Sequence, residues 1–168
     1  ESIPATGVPD TCPGGPTCPG YAFRDMPAPD SWAHAGLDYC IYSGYINGLS
    51  ATTVDPSGTC TRAQLVCILY RIQGEPKVVE GYELAKLRAP FDDVPRGQWY
   101  TNAILWAKLT GIVNGTSAVT FAPNDPVTRE QMAALLYRAM RFLGNKCPQD
   151  GKLDAFSDAS ALSDWAVE

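Results

Sequence analysis

The sequence predicts an all-α fold made of tandem helix–loop–helix repeats, and three features of the chain lead to that prediction. Residues 32–71 overlay residues 99–138 without a gap, at a constant offset of 67 positions. Each copy carries apolar residues at helical spacing, and each carries helix start signals at matching positions. One helix pair cannot bury its apolar stripe alone, so we expect neighbouring repeats to pack together, with little or no extended sheet.

The overlay is an internal duplication. Fourteen of the forty aligned positions are identical, where ordinary residue frequencies would give roughly two or three. A Phe-x-Asp motif stands upstream of each copy, at Phe23 and Phe91, and it returns a third time at Phe156, ahead of Trp165. The identical positions of the first copy are Trp32, Gly44, Asn47, Gly48, Ser50, Ala51, Thr53, Pro56, Thr61, Arg62, Gln64, Leu69, Tyr70 and Arg71.

The duplication divides the chain into five segments. Residues 1–22 are a linker or arm rich in Pro, Gly and Cys, and residues 23–76 are the first repeat. A connector, 77–90, leads to the second repeat, 91–146, and residues 147–168 hold a linker and a truncated third repeat. We therefore expect an incomplete three-part helical bundle.

The first helix of each repeat is expected to begin at its tryptophan. Asp30 and Ser31 precede Trp32 and are typical N-cap residues. Gly44 and Gly111 stand about three turns further on, where a left-handed C-terminal cap belongs. A short helix is thus predicted at the head of each unit.

The second helix of each repeat has the clearest start signal. Thr61 with Gln64, and Thr128 with Gln131, match the reciprocal capping box. Asn-Gly turns and a Ser/Thr/Pro-rich loop separate each second helix from the first. The apolar residues at helical spacing behind the two boxes are Leu65, Ile68, Leu69 and Ile72, and Met132, Leu135, Leu136, Ala139, Met140 and Leu143.

Composition excludes several classes of partner. Of the 168 residues, 45% are hydrophobic and 18% charged, which is a globular balance. The net charge of −5 makes nucleic acid an unsuitable partner, because no basic surface is available to neutralise phosphates. No apolar run reaches the roughly 18 residues that a membrane span needs, and no basic-then-apolar leader opens the chain. We expect a soluble chain without a cofactor.

Two arginines are the leading candidates for ligand contact. Arg62 and Arg129 directly follow the threonine N-caps, where the helix dipole already places positive potential. The first interpretation is that each arginine, together with the free N–H groups of its helix start, receives an anion. The alternative is a solvated arginine that turns away. The anion hypothesis predicts that alanine at either position weakens binding and leaves stability nearly unchanged.

Tryptophan, aspartate and glycine positions are weaker candidates, each with a structural alternative. Trp32, Trp99 and Trp165 could stand as flat walls for a sugar ring, but core packing is the more economical role. Asp25 and Asp93 could accept sugar hydroxyls, but capping of a neighbouring helix is simpler. Gly48 and Gly115 serve turn geometry, and the lack of a side chain would also let a ligand approach the backbone.

The ordered motifs Phe-x-Asp, Trp, Gly-x-x-Asn-Gly, Pro and Thr-Arg-x-Gln resemble the S-layer homology repeat over about residues 23–168. The resemblance implies a bundle of helical repeats with pseudo-threefold symmetry, incomplete here. It implies a secreted, non-catalytic module of Gram-positive-type bacteria that anchors a larger surface protein to the cell wall. The implied ligand is secondary cell-wall polysaccharide carrying pyruvate-ketal carboxylates, bound in grooves between repeats.

The resemblance also assigns roles to particular residues. It implies that Arg62 and Arg129 meet the ligand carboxylates. Gln64 and Gln131 stand where glutamate usually ends the motif, and the truncated third repeat lacks a third arginine, which leaves the number of working grooves open. The supporting positions that the resemblance implies are Asp25, Trp32, Gly48, Asp93, Trp99 and Gly115.

Two other functions remain open at this stage. A structural protein-interaction array would not need arginines at helix starts, so neutral substitutions there would leave its binding intact. A hydrolase acting on the wall would need a catalytic set, yet His34 is the only histidine and the second repeat has Thr101 in its place. We expect His34 to lie on the surface of the first helix.

The cysteines are interpreted as mainly structural. Three of the six face small apolar residues of the sister repeat, which predicts buried thiols, with a Cys40–Cys67 bridge as the alternative. Cys12 and Cys18 could form a local disulfide. Zinc is not expected, because the paired cysteine spacing of zinc sites is missing. The aligned pairs are Cys40 with Ala107, Cys60 with Val127, and Cys67 with Ala134.

Overall fold

The computed structural model describes residues 14–79, 81–147, 153 and 156–166. The helices are α1 (His34–Tyr42), α2 (Arg62–Ile72), α3 (Thr101–Leu109) and α4 (Arg129–Phe142). The strands in this part of the chain are two residues each, β1 (Val78–Val79) and β2 (Tyr82–Glu83), paired antiparallel in the connector. The predicted all-α fold is confirmed.

Both predicted capping boxes are present. The Thr61 hydroxyl accepts the Gln64 N–H at 3.2 Å, and the Gln64 side chain accepts the Thr61 N–H at 2.7 Å. Thr128 and Gln131 repeat the exchange at 3.2 and 3.3 Å. Because each box satisfies two donors of the helix start, α2 and α4 begin at the residues that the motif indicates.

The first helices begin later than predicted. Trp32 and Trp99 lie in turns, and α1 and α3 start at His34 and Thr101. The Ser31 hydroxyl accepts the N–H only two residues ahead, at 3.4 Å, which is a local turn and not a helix cap. The tryptophans therefore lie outside the regular helical face that would have directed them into a core.

The predicted C-caps of the first helices are confirmed. Gly44 follows α1 with a φ of +72°, and Gly111 follows α3 with a φ of +75°. Glycine adopts this left-handed backbone without the steric cost of a Cβ, so each helix ends at that point.

The chain forms two compact units, Glu1–Gly58 and Thr59–Glu168. The division falls inside the first sequence repeat, because α2 belongs with the second repeat and packs mainly against α3. Tyr70 of α2 and Trp106 of α3 place their ring centroids 5.5 Å apart. The expectation that a helix of one repeat buries its apolar stripe against the next is met within the second unit.

Helix α4 buries one of its apolar faces and leaves the adjoining apolar face exposed. Leu135 and Ala139 are buried, whereas Leu136 and Met140 are 42% and 44% exposed. One helical face thus joins the core of the second unit, and the adjoining apolar face is open. No helix in the described ranges has the length and apolarity needed to cross a membrane.

The first unit packs α1 against a short 3₁₀ helix, Pro19–Ala22. Its buried positions include three polar side chains, Cys18, His34 and Asp38. The expectation that His34 lies on the surface is wrong, since only 3% of it is exposed. The helix turns its histidine inward because Asp38, one turn further along α1, is buried on the same face.

Cys40, Cys60 and Cys67 are unbridged. Cys67 is buried in the second unit, and burial raises the pKa of its thiol to about 12. Cys40 and Cys60 are half-buried thiols whose pKa values are also raised by burial. The Cys40–Cys67 bridge is therefore not formed. The proposed Cys12–Cys18 disulfide involves residue 12, which lies outside the described residues.

Candidate ligand-binding groove

A groove of about 380 Å³ lies in the second unit. Its walls come from the start of α2, the 113–116 turn after α3, one face of α4, and the short turn that carries Trp165. Four elements that are distant in sequence thus converge on one cavity. The lining residues are Arg62, Val113, Asn114, Gly115, Thr116, Gln131, Ala134, Leu135, Arg138 and Trp165.

Arg62 lines the groove and is held there by contacts with the protein. Its Nε donates to the carbonyl of Phe121 at 2.8 Å, and its Nη1 donates to Gln131 Oε1 at 3.1 Å. The guanidinium also lies over the Phe121 ring, 4.7 Å from the centroid. Only 6% of Arg62 is exposed, and burial lowers the pKa of the group. The solvated-arginine alternative does not describe Arg62, because the protein holds this cation in place.

The helix start of α2 offers a ligand fewer donors than predicted. The Arg62 N–H donates to the carbonyl of Asp125 at 3.0 Å, and the Ala63 N–H donates to the carbonyl of Pro123 at 3.0 Å. The Gln64 N–H is used by the capping box. The expectation of free backbone N–H groups here is wrong. The 123–125 loop of the second repeat accepts two of them, and Thr61 accepts the third. A ligand in the groove would meet the guanidinium edge instead.

Asp93 supports the groove from behind. Its carboxylate accepts the backbone N–H groups of Phe121 and Ala122 at 2.8 and 2.7 Å. Ala122 has a φ of +58°, a left-handed backbone that costs free energy in a non-glycine residue. By holding this bend, Asp93 fixes the carbonyl that Arg62 uses. Its carboxylate also favours the charged form of Arg62.

Asp25 makes the same contacts in the first unit. It accepts the Val54 N–H at 2.9 Å and the Asp55 N–H at 2.7 Å, and Asp55 has a φ of +54°. These N–H bonds lower the pKa of the Asp25 carboxyl. Each aspartate therefore binds the loop of its own repeat, whereas the sequence suggested capping of a neighbouring helix.

The two motif glycines are required by close packing. Gly115 has a φ of +89°, and a Cβ there would lie 2.5 Å from Phe91 Cε1 and 2.6 Å from the Thr120 carbonyl oxygen. Gly48 has a φ of +78° and faces Phe23 and the Thr53 carbonyl in the same way. Gly115 also lines the groove, so both the turn and the cavity depend on the missing side chain.

The three motif tryptophans, Trp32, Trp99 and Trp165, are exposed, which corrects the expectation of core packing. Trp32 is 96% exposed and Trp99 60% exposed, because both precede their helices. Trp165 is 43% exposed and lines the groove. Its turn is tied to α4, since Glu130 accepts the N–H and the hydroxyl of Ser163 at 3.1 and 3.3 Å. Trp165 is thus the aromatic wall of this cavity.

The groove is cationic in an otherwise acidic chain. Arg62 and Arg138 line it, and none of the described lining residues is acidic, although the chain carries a net charge of −5. Asn114, Thr116 and Gln131 add side chains that can form hydrogen bonds. This combination of positive charge, polar groups and one aromatic face suits a polar anion with a ring.

Sequence reasoning found part of this site. It identified Arg62 and Gly115, which the fold brings together, and Asp93, which supports them. It missed Arg138, although this residue and Arg71 are identical positions of the two repeats. Arg129 is exposed at the head of α4, and neither it nor Trp99 lines the groove. The candidates of the first unit, which form no part of this groove, are Asp25, Trp32 and Gly48.

Comparison with known proteins defines the class of this module. The model of the S-layer homology domain matches residues 22–66 and 90–133. These two segments together exceed half of the 168 residues, and each begins within one residue of a predicted repeat. The chain belongs to the S-layer homology domain family. Domains of this family are non-catalytic modules that anchor surface proteins to the bacterial cell wall.

Relatives carry the matching region as a small part of a longer chain. The chain is 30% identical to the exoglucanase XynX of Acetivibrio thermocellus over 92% of its own length, and the match covers 13% of that protein. It is 35% identical to an endoglucanase of Bacillus sp. strain KSM-635 over 88% of its own length, and the match covers 15% of that protein. A surface-layer 125 kDa protein of Lysinibacillus sphaericus is 29% identical over 90% of this chain and 12% of its own length.

Proposed function

We propose that this module binds pyruvylated secondary cell-wall polysaccharide, and that the Arg62 groove is its ligand site. One observation carries the proposal: a groove lined by two arginines, a tryptophan and several hydrogen-bonding side chains, with no acidic residue among the described lining residues. An acidic chain that concentrates cationic groups in one cavity favours an anionic ligand there.

The chemistry of a pyruvate ketal matches the groups in the groove. Its carboxylate would accept hydrogen bonds from the remaining guanidinium N–H groups of Arg62, whose orientation is fixed by the Phe121 carbonyl and Gln131. The sugar ring would lie against Trp165, and its hydroxyls would meet Asn114 and Thr116. A charge-assisted contact of this kind is worth about 1.5–3 kcal/mol, or roughly tenfold to a hundredfold in affinity.

The wider setting follows from the relatives and is part of the same proposal. The three relatives described above are named as an exoglucanase, an endoglucanase and a surface-layer protein. A module that attaches different proteins to the wall would occur both in enzymes and in surface-layer proteins. We infer that neighbouring domains of a larger surface protein are the passengers of this anchor. Arg129, Trp32, Trp99, Asp25 and Gly48 stay predicted contacts of further grooves.

A pair of matched variants tests the site. Arg62 and Arg129 occupy the same motif position, but only Arg62 lines the groove. We expect Arg62→Lys, which keeps the charge and loses the planar fork, to weaken binding to purified wall glycan about tenfold. Arg129→Lys should leave binding at this groove unchanged, and any loss that it causes would belong to a separate groove. Isothermal titration of both variants, with melting temperatures measured in parallel, separates binding from stability.

A second variant probes the aromatic wall. Trp165→Ala should weaken glycan binding severalfold with little effect on stability, because the side chain is 43% exposed. Equal affinities of Arg62→Lys, Trp165→Ala and the unmodified chain would contradict the assignment of the groove. Such a result would favour the alternative of a protein-interaction array.

A further inference from the structure

We propose that Cys18, His34 and Asp38 of the first unit form a binding site for a divalent transition-metal ion of the Zn²⁺ type. The three side chains are 7%, 3% and 0% exposed, and one ligand atom from each lies within 4.8 Å of the others. The cluster belongs to a different unit from the glycan groove. Sequence spacing did not predict it, because the loop after Cys18 brings a distant residue against α1.

The separations of the ligand atoms fit a single ion. Cys18 Sγ lies 3.6 Å from His34 Nε2, and Asp38 Oδ2 lies 3.1 Å from each of these two atoms. Tetrahedral Zn²⁺, at about 2.3 Å from sulfur and about 2.0 Å from nitrogen and oxygen, separates its ligands by roughly 3.3–3.6 Å. Shifts of a few tenths of an ångström would place all three atoms on one ion.

The histidine is oriented as a metal ligand requires. Its Nδ1 is 2.7 Å from the carbonyl oxygen of Pro27, an acceptor, so Nδ1 carries the proton. The lone pair of Nε2 is then directed at the other two side chains. Asp38 Oδ1 accepts the Gly20 N–H at 2.9 Å, which fixes the carboxylate in turn. Outer hydrogen bonds of this kind position the ligands of metal sites.

The same contacts exclude a Cys–His–Asp catalytic triad. In a triad the base uses one ring nitrogen for the nucleophile and the other for the orienting acid. Here Cys18 and Asp38 both approach Nε2 of His34, and Nδ1 is taken by a backbone carbonyl. Three donors that converge on one point define a coordination centre, not a proton relay.

The sister repeat shows that the fold does not require these polar groups. His34 and Asp38 align with Thr101 and Leu105. The Thr101 hydroxyl donates to the Pro95 carbonyl at 2.7 Å, in place of the histidine bond, and Leu105 is buried at 4% exposure. The first unit buries a carboxylate where the second buries a leucine. Burial of a carboxylate is unfavourable unless a cation compensates it, and a metal ion would do so.

The donor set indicates the class of ion. Thiolate and imidazole favour Zn²⁺ and similar borderline metals, whereas Ca²⁺ and Mg²⁺ prefer oxygen ligands alone. Binding releases the Cys18 thiol proton, and the ion neutralises the thiolate and the carboxylate together. The site would tie the segment before the first repeat to α1.

The test uses the full 168-residue chain, stripped with a chelator, kept reduced and titrated with Co²⁺ and Zn²⁺. We expect one ion per chain and a thiolate-to-cobalt charge-transfer absorption that Zn²⁺ displaces. At a Zn²⁺ concentration a hundredfold above Kd, the melting transition of a chain of this size should rise by about 5–10 °C. Absence of stoichiometric binding would overturn the proposal. The buried carboxylate of Asp38 would then be compensated by its ion pair with His34 alone.

Variants locate the site within the chain. Cys18→Ser should abolish the charge-transfer absorption. Cys40→Ala, which removes a thiol from α1, the helix of His34 and Asp38, should keep it. The double variant His34→Thr with Asp38→Leu copies the sister repeat and should fold without responding to Zn²⁺. Absorption that survives in Cys18→Ser, or a double variant still stabilised by Zn²⁺, would overturn the assignment.

Discussion

Replacement of Arg62 by alanine should destabilise the second unit. The variant loses two hydrogen bonds from a charged group, to Phe121 O at 2.8 Å and to Gln131 Oε1 at 3.1 Å, and a cation–π contact at 4.7 Å. Bonds to charged groups contribute about 1.5–3 kcal/mol each, and the ring contact about 0.5–1 kcal/mol.

Two effects reduce this loss. Removing a cation from a helix start relieves about 0.3–1 kcal/mol, and water entering through the groove can bond the freed carbonyl. We therefore expect a net loss of about 2–4 kcal/mol in the free energy of unfolding. The sequence alone predicted almost no change, because it could not show that Arg62 is only 6% exposed.

Urea unfolding followed by tryptophan fluorescence and circular dichroism measures this difference. A loss of that size lowers the unfolding midpoint by roughly 1–2 M urea. The control is Arg129→Ala at the equivalent motif position, where the side chain is exposed and the change should stay within about 0.5 kcal/mol. Equal stability of the two variants would refute the structural role assigned to Arg62.

Gly115→Ala should destabilise the chain by more than about 1 kcal/mol in urea unfolding, since it combines a φ of +89° with a clash against Phe91; full stability would contradict the packing described. The pKa of Asp25 is lowered by N–H bonds, so its stabilisation is complete above the ordinary aspartate pKa of about 3.9 and is lost as pH falls through the lowered value. The stability advantage over Asp25→Asn should therefore shrink below about pH 4, and a constant difference across that range would refute the linkage. Replacing three thiols by their sister residues should leave a folded protein by circular dichroism, and unfolding of the unmodified chain by reductant would contradict this. The changes are Cys40→Ala, Cys60→Val and Cys67→Ala.

The second helices could be predicted from sequence because their signals are local. A capping box needs only Thr61 and Gln64, three residues apart, and the bonds form as the motif requires. The repeat pattern likewise predicted that neighbouring repeats pack together, because one helix pair cannot bury its apolar stripe alone, and α2 does pack against α3 of the next repeat. Local hydrogen bonds and periodicity thus fixed most of the fold.

The site depended on contacts between distant residues, which no single motif contains. Arg62 is held by Phe121 and Gln131, and its helix start is satisfied by the 123–125 loop of the next repeat. The aromatic wall is supplied by Trp165, whereas Trp32 stands in a turn and is exposed. The sequence indicated free backbone N–H groups as the donors of this site, but those groups are bonded within the protein, and the guanidinium of Arg62 is the donor that lines the groove.

The cluster of Cys18, His34 and Asp38 could not be predicted from residue spacing, because it also joins residues that are distant in sequence. Two of its members are four residues apart on α1, but the third comes from the segment before the repeat. The alignment did hold a signal, since an acid and a histidine replace Leu105 and Thr101 of the sister repeat. A histidine and an aspartate at positions where the sister repeat buries a threonine and a leucine indicate a role beyond core packing.

Titration of the module with purified wall polysaccharide, before and after chemical removal of the pyruvyl groups, tests the central claim most directly. We predict saturable binding of the native glycan that weakens as salt is added, because the contact pairs a guanidinium with a carboxylate. Removal of the pyruvyl groups should lower the affinity at least tenfold. Equal affinity for the two glycans would contradict the account of the Arg62 groove.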